Sequence, residues 1–249
     1  MKKFKQILAF GDSTLTGVGF DPANIQRWDD ITKLSSFPNQ LAKMLGIPCI
    51  NTSISGGSND RSLRLLPETL LSYPDSLVLF CYTFNERTEI FNHNLINDYA
   101  KLGYEPIIPS NSRPNHISDA YYKYIYDNTV NQHNRYKIYN MLLTVQTLCE
   151  KYAADYLQIF LMNSIFLDPV FQQSVYDALD KTHIHKFNVI PSVPGDGRMY
   201  KNTNESNQGF GDFYRWELFN GFRKAHDGKH AGEYTHAKFA EELYIKYNN

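Results

Sequence analysis

Apolar residues along the chain fall into short continuous runs, separated by stretches in which they recur every three or four positions. Continuous runs of this length fit strands buried on both faces, and the three-to-four spacing fits amphipathic helices. The run ending in "ILAF" predicts a first strand at about residues 6 to 10. "SSFPNQLAKMLG" follows as a helix: Ser35 or Ser36 caps it, Pro38 suits its first turn, and Gly46 ends it. "IPCIN" reads as a second strand, and "SNDRSLRLLPETLLSY" as a helix bent or ended near Pro67, because proline has no amide to donate. "SLVLFCYT" is a third strand. From Arg135, the series Ile138, Met141, Leu142, Val145, Leu148, Cys149 and Tyr152 marks a long amphipathic helix. "DYLQIFLM" gives a fourth strand and "KFNVI" a fifth. Ala240, Leu243, Tyr244 and Tyr247 form the stripe of a closing helix that starts after "HDGKHAGEYT". Strands alternating with helices at short spacing predict an α/β fold with a parallel sheet covered on both faces.

With 249 residues the chain suits a single domain spanning 1–249. Two stretches, about 88–133 and 191–226, lack periodicity and are expected as irregular insertions. A near balance of 25 basic and 26 acidic residues leaves no electrostatic footprint for a nucleic acid partner. No apolar run approaches the ~20 residues a membrane span requires, so no membrane insertion is expected. "MKKFKQILAF" has a basic start, but its apolar part is too short for a signal peptide and runs directly into a turn. The expected protein is therefore soluble, and cytoplasmic or virus-encoded. Cys49, Cys81 and Cys149 lie in apolar segments without metal-ligand spacing and read as reduced core residues.

The chemistry begins where the first strand breaks, at Gly11, Asp12 and Ser13. Two readings fit "GDS". Ser13 is a nucleophile awaiting a base, or Asp12 and Ser13 simply cap the next helix. Near the C-terminus, "DGKH" places Asp227 and His230 three residues apart around an Asp-Gly turn. Such a turn folds the carboxylate under the imidazole, fixing its tautomer and stabilising the cation formed when the ring takes a proton. His226 and His230, with Asp227 or His236, also invite a metal reading, but Gly228 argues against the helix that would put two histidines on one face. A nucleotide reading fails because Gly11, Gly17 and Gly19 do not make the G-x-G-x-x-G spacing.

An ester attacked by serine develops negative charge on its carbonyl oxygen and needs donors aimed at it. "INTSISGGSND" sets Gly56 just beyond the second strand, with Gly57 as its neighbour and competitor. "YTFNE" sets Asn85 beyond the third, with Asn59 or a backbone amide as the alternative donor. Three parallel strands thus direct Ser13, Gly56 and Asn85 to one sheet edge, where open α/β sheets bind ligands.

"FGDS", "NTSISGG", "TFNE" and "DGKH", in that order, resemble the four motif blocks of the SGNH, or GDSL, esterases and lipases. The third block departs from the family's Gly-x-Asn-Asp, with Thr83 and Glu86 in the outer places. The resemblance implies a flavodoxin-like, three-layer α/β/α sandwich with a central parallel sheet of about five strands. It also implies an acyl-enzyme route without metal or organic cofactor. By the same resemblance Ser13 is nucleophile, His230 general base and Asp227 its orienter, while the amides of Ser13 and Gly56 and the side chain of Asn85 form the oxyanion hole. The expected substrate is a small-molecule or glycan ester, an acetyl ester among the candidates. The aromatic-rich stretches "DAYYKYIYDN" and "GFGDFYRWELFNGF" point to sugar, although packing beneath loops accounts for them equally. A non-catalytic glycan- or protein-binding module on the same fold is the alternative. Acyl transfer to an acceptor other than water would use the same residues, and the oligomeric state is left open.

Overall fold

The computed structural model describes residues 4–24, 29–84, 87–91, 104–107, 123, 133–161, 173–187 and 212–248. Strands β1 (Gln6–Phe10), β2 (Cys49–Asn51), β3 (Ser76–Tyr82) and β6 (Asp155–Phe160) form one parallel sheet in the order β2-β1-β3-β6. A separate hairpin pairs β4 (Thr88–Phe91) with β5 (Tyr104–Ile107) in antiparallel fashion. Of the helices, α1 (Ser13–Thr16) and α2 (Asp30–Lys33) are single turns after β1, and α6 (Gln173–Ala178) is a short piece after β6.

Alternation along the strands divides the interior in two. Ile7, Ala9, Leu77, Leu79, Cys81, Leu157 and Ile159 join one buried cluster. Leu8, Phe10, Val78, Phe80, Tyr82, Tyr156 and Phe160 join the other. A one-residue slip would exchange the two sets, so the pattern fixes the register seen in Leu8↔Val78 and Leu79↔Leu157. The first face is covered by α3 (Phe37–Leu45), α7 (Phe213–Phe219) and α8 (Glu233–Asn248), through Phe37, Leu41, Phe213, Trp216, Phe239 and Leu243. The second is covered by α4 (Asn59–Ser72) and α5 (His133–Lys151), through Leu66, Leu70, Ile138, Leu142 and Val145. The architecture is α/β with a four-stranded parallel sheet between two helical layers.

Four local features differ from the sequence expectation. The sheet has four strands among the described residues rather than about five. A 3-10 turn at Lys181–His183, capped by Asp180, brings the chain to the β6 edge at Ile184, and pairing there amounts to one bridge to Gln158. Residues 188–190 of the expected fifth strand lie outside the described residues. Helix α4 continues through Pro67. A mid-helix proline costs about 3 kcal/mol, but Leu66 and Leu70 are buried on the same helix, each worth roughly 1.5–3 kcal/mol. Within 88–133, the β4 strand is docked onto α4 by a bidentate Arg64–Glu89 pair (Nη2 to Oε2, 3.1 Å). Asp60 joins it to α5 by accepting from Thr88 Oγ1 at 2.8 Å and Lys137 Nζ at 2.7 Å. Within 191–226, Asp212 caps the short helix α7 by accepting from the Arg215 amide at 2.8 Å. The rest of these two stretches lies outside the described residues, apart from β5, Lys123 and the start of α5, and the loop at 220–226 described below.

The crossovers leave β1 and move first to β2, then back past β1 to β3, with α3 and α4 on opposite faces. Chain reversal of this kind opens a crevice at the carboxyl ends of β1 and β3.

Candidate active site

At the carboxyl end of β1 the chain enters α1, and Asp12 is its cap: the carboxylate accepts from the Thr14 amide at 3.0 Å. Capping therefore falls to Asp12. Ser13, 7% exposed, keeps its hydroxyl for another partner. That partner is His230, whose Nε2 lies 2.9 Å from Ser13 Oγ across 217 positions of sequence. His230 Nδ1 lies 2.5 Å from Asp227 Oδ2.

The loop from Asn220 to Gly232 builds the second half of this arrangement. Lys224 and Ala231 form an antiparallel bridge, the Ala225 amide donates to the His230 carbonyl at 2.9 Å, and the Gly228 amide donates to the Ala225 carbonyl at 2.9 Å. The loop is tied to α7 by a Lys224–Glu217 ion pair, with Glu217 fully buried and also accepting from Thr235 Oγ1 at 3.2 Å. It reaches the β1 side through the His226 amide, which donates to Gly19 O at 2.9 Å. Gly19 has φ +86°, and a Cβ there would stand 2.8 Å from Asp227 Cγ. Glycine is what lets the two segments meet.

Asp227 Oδ1 accepts from the Lys229 amide at 2.9 Å and the His230 amide at 3.0 Å. Partial burial opposes its ionisation, but the His230 ring and these two amides outweigh burial and hold the carboxyl below its usual value. An ionised carboxylate at Nδ1 keeps the proton on that nitrogen. Nε2 is then a bare acceptor for the Ser13 hydroxyl.

Of the residues expected to form an oxyanion hole, Ser13 and Gly56 are described and Asn85 is not. The Gly57 amide is committed to a turn, donating to Ile54 O at 3.0 Å, whereas the amides of Ser13 and Gly56 donate to no group among the described residues. Gly56 holds φ +74°, a conformation suited to glycine. Asn59 is not free to act as a substitute donor. Its side chain brackets the end of β3, accepting from the Thr83 amide at 2.8 Å and donating to the Thr83 carbonyl at 3.3 Å. Asn85 and Glu86 lie outside the described residues.

His226 and His236, weighed above as metal ligands, do not join His230. His226 is exposed, and His236 lies in the core among Phe20, Phe37 and Phe213, accepting from the Phe37 amide at the start of α3 (3.1 Å). No cluster of three or more metal-ligating side chains occurs among the described residues. No helix among them is long and apolar enough to cross a membrane.

Sequence reasoning missed Arg87, to which it gave no role. Its Nη1 lies 2.7 Å from Asp12 Oδ2, and Thr83 Oγ1 donates to that same oxygen. Burial raises the cost of the Asp12 charge, but Arg87, the Thr83 hydroxyl and the Thr14 amide together hold its pKa below the usual value. The available signal was Asp12 itself: a carboxylate at the end of a buried strand needs a cation nearby.

No protein-family model matches the sequence, and no curated protein matches it. Solved structures do resemble it. A psychrotrophic esterase, EstA from Pseudoalteromonas sp., is 14% identical, with 98% of this chain and 100% of that chain covered and a TM-score of 0.49. A putative lipolytic protein of the G-D-S-L family from Desulfitobacterium hafniense is 10% identical, with 97% and 98% covered and a TM-score of 0.42. A carbohydrate esterase is 12% identical, with 98% of this chain and 68% of that chain covered and a TM-score of 0.43.

Proposed function

We propose that this chain is a serine esterase of the SGNH type, cleaving a short acyl group from a hydroxyl-bearing substrate. The observation that carries the proposal is the unbroken relay from Ser13 Oγ to His230 Nε2 (2.9 Å) and from His230 Nδ1 to Asp227 Oδ2 (2.5 Å), at the crevice where an α/β sheet binds ligands. Ser13 gives its proton to Nε2 as Oγ attacks the ester carbonyl carbon. The resulting imidazolium is stabilised by Asp227. The tetrahedral oxyanion is stabilised by the amides of Ser13 and Gly56, each aimed donor worth about 3 kcal/mol in the transition state, with Asn85, outside the described residues, as the expected third donor. Collapse expels the alkoxide, which takes the proton from Nε2. Water then repeats the sequence on the acyl-enzyme and frees Ser13.

A carbohydrate ester is the proposed substrate class. Of the two aromatic stretches that suggest sugar, 209–222 supplies Phe213 and Trp216 to the core. The sugar reading therefore rests on the tyrosines of 119–128, which lie outside the described residues.

Hydrolysis of p-nitrophenyl acetate by the wild type and by Ser13→Ala tests the activity. A loss of at least ~10³-fold in kcat is expected in the variant; unchanged turnover would refute the assignment. A panel of acetylated sugars and long-chain acyl esters then tests substrate class, and preference for the long chains would remove carbohydrate.

A further inference from the structure

Arg87 does more than neutralise Asp12. One of its nitrogens, Nη1, meets Asp12 Oδ2 at 2.7 Å, Thr83 Oγ1 at 3.1 Å and the Gly57 carbonyl at 3.3 Å. These three partners belong to the three turns at the carboxyl edge of the sheet. Asp12 directly precedes Ser13, Gly57 directly follows Gly56, and Thr83 directly follows β3, two residues before Asn85. The Arg87 amide also donates to Phe84 O at 3.2 Å, and its guanidinium carbon lies 4.9 Å from the centre of the Phe84 ring. The side chain is 12% exposed, so these bonds are sheltered from water.

We infer that Arg87 is a positioning residue that fixes the spacing between the Ser13 nucleophile and the Gly56 amide by clasping the turns that carry them to the end of β3. The inference rests on the esterase reading. A nucleophile and a donor carried on separate turns work together only if those turns keep their separation as charge develops on the carbonyl oxygen, and preorganised donors lose much of their effect when displaced by a fraction of an ångström. The planar guanidinium suits this role better than a lysine, which offers a point charge on a flexible stem. Arg87 touches no reacting atom. Its contribution belongs to the transition state, so kcat carries the effect and KM does not.

The test compares the wild type with Arg87→Met, Arg87→Lys and the double variant Asp12→Asn with Arg87→Met. The double variant leaves no unpaired buried charge, and the carboxamide oxygen it puts at position 12 still accepts from the Thr14 amide, so it stays informative if the single variant folds poorly. Rates on p-nitrophenyl acetate are normalised to the fraction of protein titrated by a fluorophosphonate, which counts working sites and discounts unfolded chains. The expected result is a kcat per titrated site about 10- to 100-fold lower in Arg87→Met and in the double variant. KM stays within about threefold, and Arg87→Lys recovers part of the loss. Wild-type kcat per titrated site in the double variant would overturn the inference and leave Arg87 a packing residue. Ser13→Ala separates the two claims: if it abolishes turnover, the esterase reading stands and the Arg87 variants alone decide. Turnover surviving in Ser13→Ala overturns both.

Discussion

Gly19→Ala tests whether the closeness of two distant segments sets the catalytic geometry. Residue 19 holds φ +86°, where an L side chain costs about 1 kcal/mol or more. An added Cβ would stand 2.8 Å from Asp227 Cγ and 2.9 Å from Ala225 Cβ, against a comfortable separation of roughly 3.5 Å or more. The loop must therefore retreat by about 0.7 Å, and the bond from the His226 amide to Gly19 O ties that movement to the segment bearing Asp227 and His230. Misplacement on this scale costs roughly 10- to 100-fold in rate. Gly46→Ala is the matched control, because Gly46 shares the left-handed conformation (φ +69°) but an added Cβ meets nothing within 4 Å, at the far end of α3. Initial rates on p-nitrophenyl acetate and thermal melts are measured for both. Gly46→Ala should lose about 1–2 kcal/mol of stability and Gly19→Ala at least as much, since it adds the clash, and only Gly19→Ala should lose kcat/KM. Equal activity in the two variants would refute the idea that contact with Gly19 sets the position of Asp227.

Asp227→Asn keeps an acceptor for the amides of Lys229 and His230 but reverses the tautomer preference at His230; kcat should fall roughly 10³- to 10⁴-fold with little change in the thermal melt, and a loss under tenfold would contradict the relay. His236 is pushed down to about 3, first by burial and then by the nearby positive charge available to His230, so the folded chain excludes a proton that the unfolded chain binds below about 6.5. Stability should therefore fall as pH decreases from about 6.5 towards about 3, by up to about 1.4 kcal/mol per unit, and urea titrations of His236→Gln in the upper part of that window should show a flatter slope. An unchanged slope would mean that His236 is not held neutral in the folded state.

Most of the parallel sheet was legible because its central strands are buried on both faces, and neither Ile7 to Phe10 nor Leu77 to Tyr82 holds a charged position. The ends of those runs also exposed Ser13 and Gly56, and the Asp-Gly turn exposed Asp227 and His230. What stayed hidden depends on tertiary packing and pairing that local sequence does not carry. Arg87 looks solvated until Asp12, 75 positions earlier, is seen beneath it. Glu217 and Lys224 carry no motif or periodicity that marks them, yet Glu217 is fully buried in a pair that anchors the His230 loop. Pro67 suggested a helix end because its missing amide is a local property, whereas the burial of Leu66 and Leu70 that overrides it is not. The aromatic stretch at 209–222 suggested a surface for sugar, but Phe213 and Trp216 pack against Phe187 and Phe239. Composition alone cannot tell an aromatic core from an aromatic platform.

The central claim is that Ser13 Oγ becomes a nucleophile when His230 takes its proton. Covalent labelling with a fluorophosphonate, with the adduct located by peptide mass spectrometry, tests it most directly. One adduct on Ser13 is predicted, absent in Ser13→Ala and formed at least ~10²-fold more slowly in His230→Ala. A folded wild-type protein that takes no label at Ser13, or labels there equally fast without the imidazole, would contradict it.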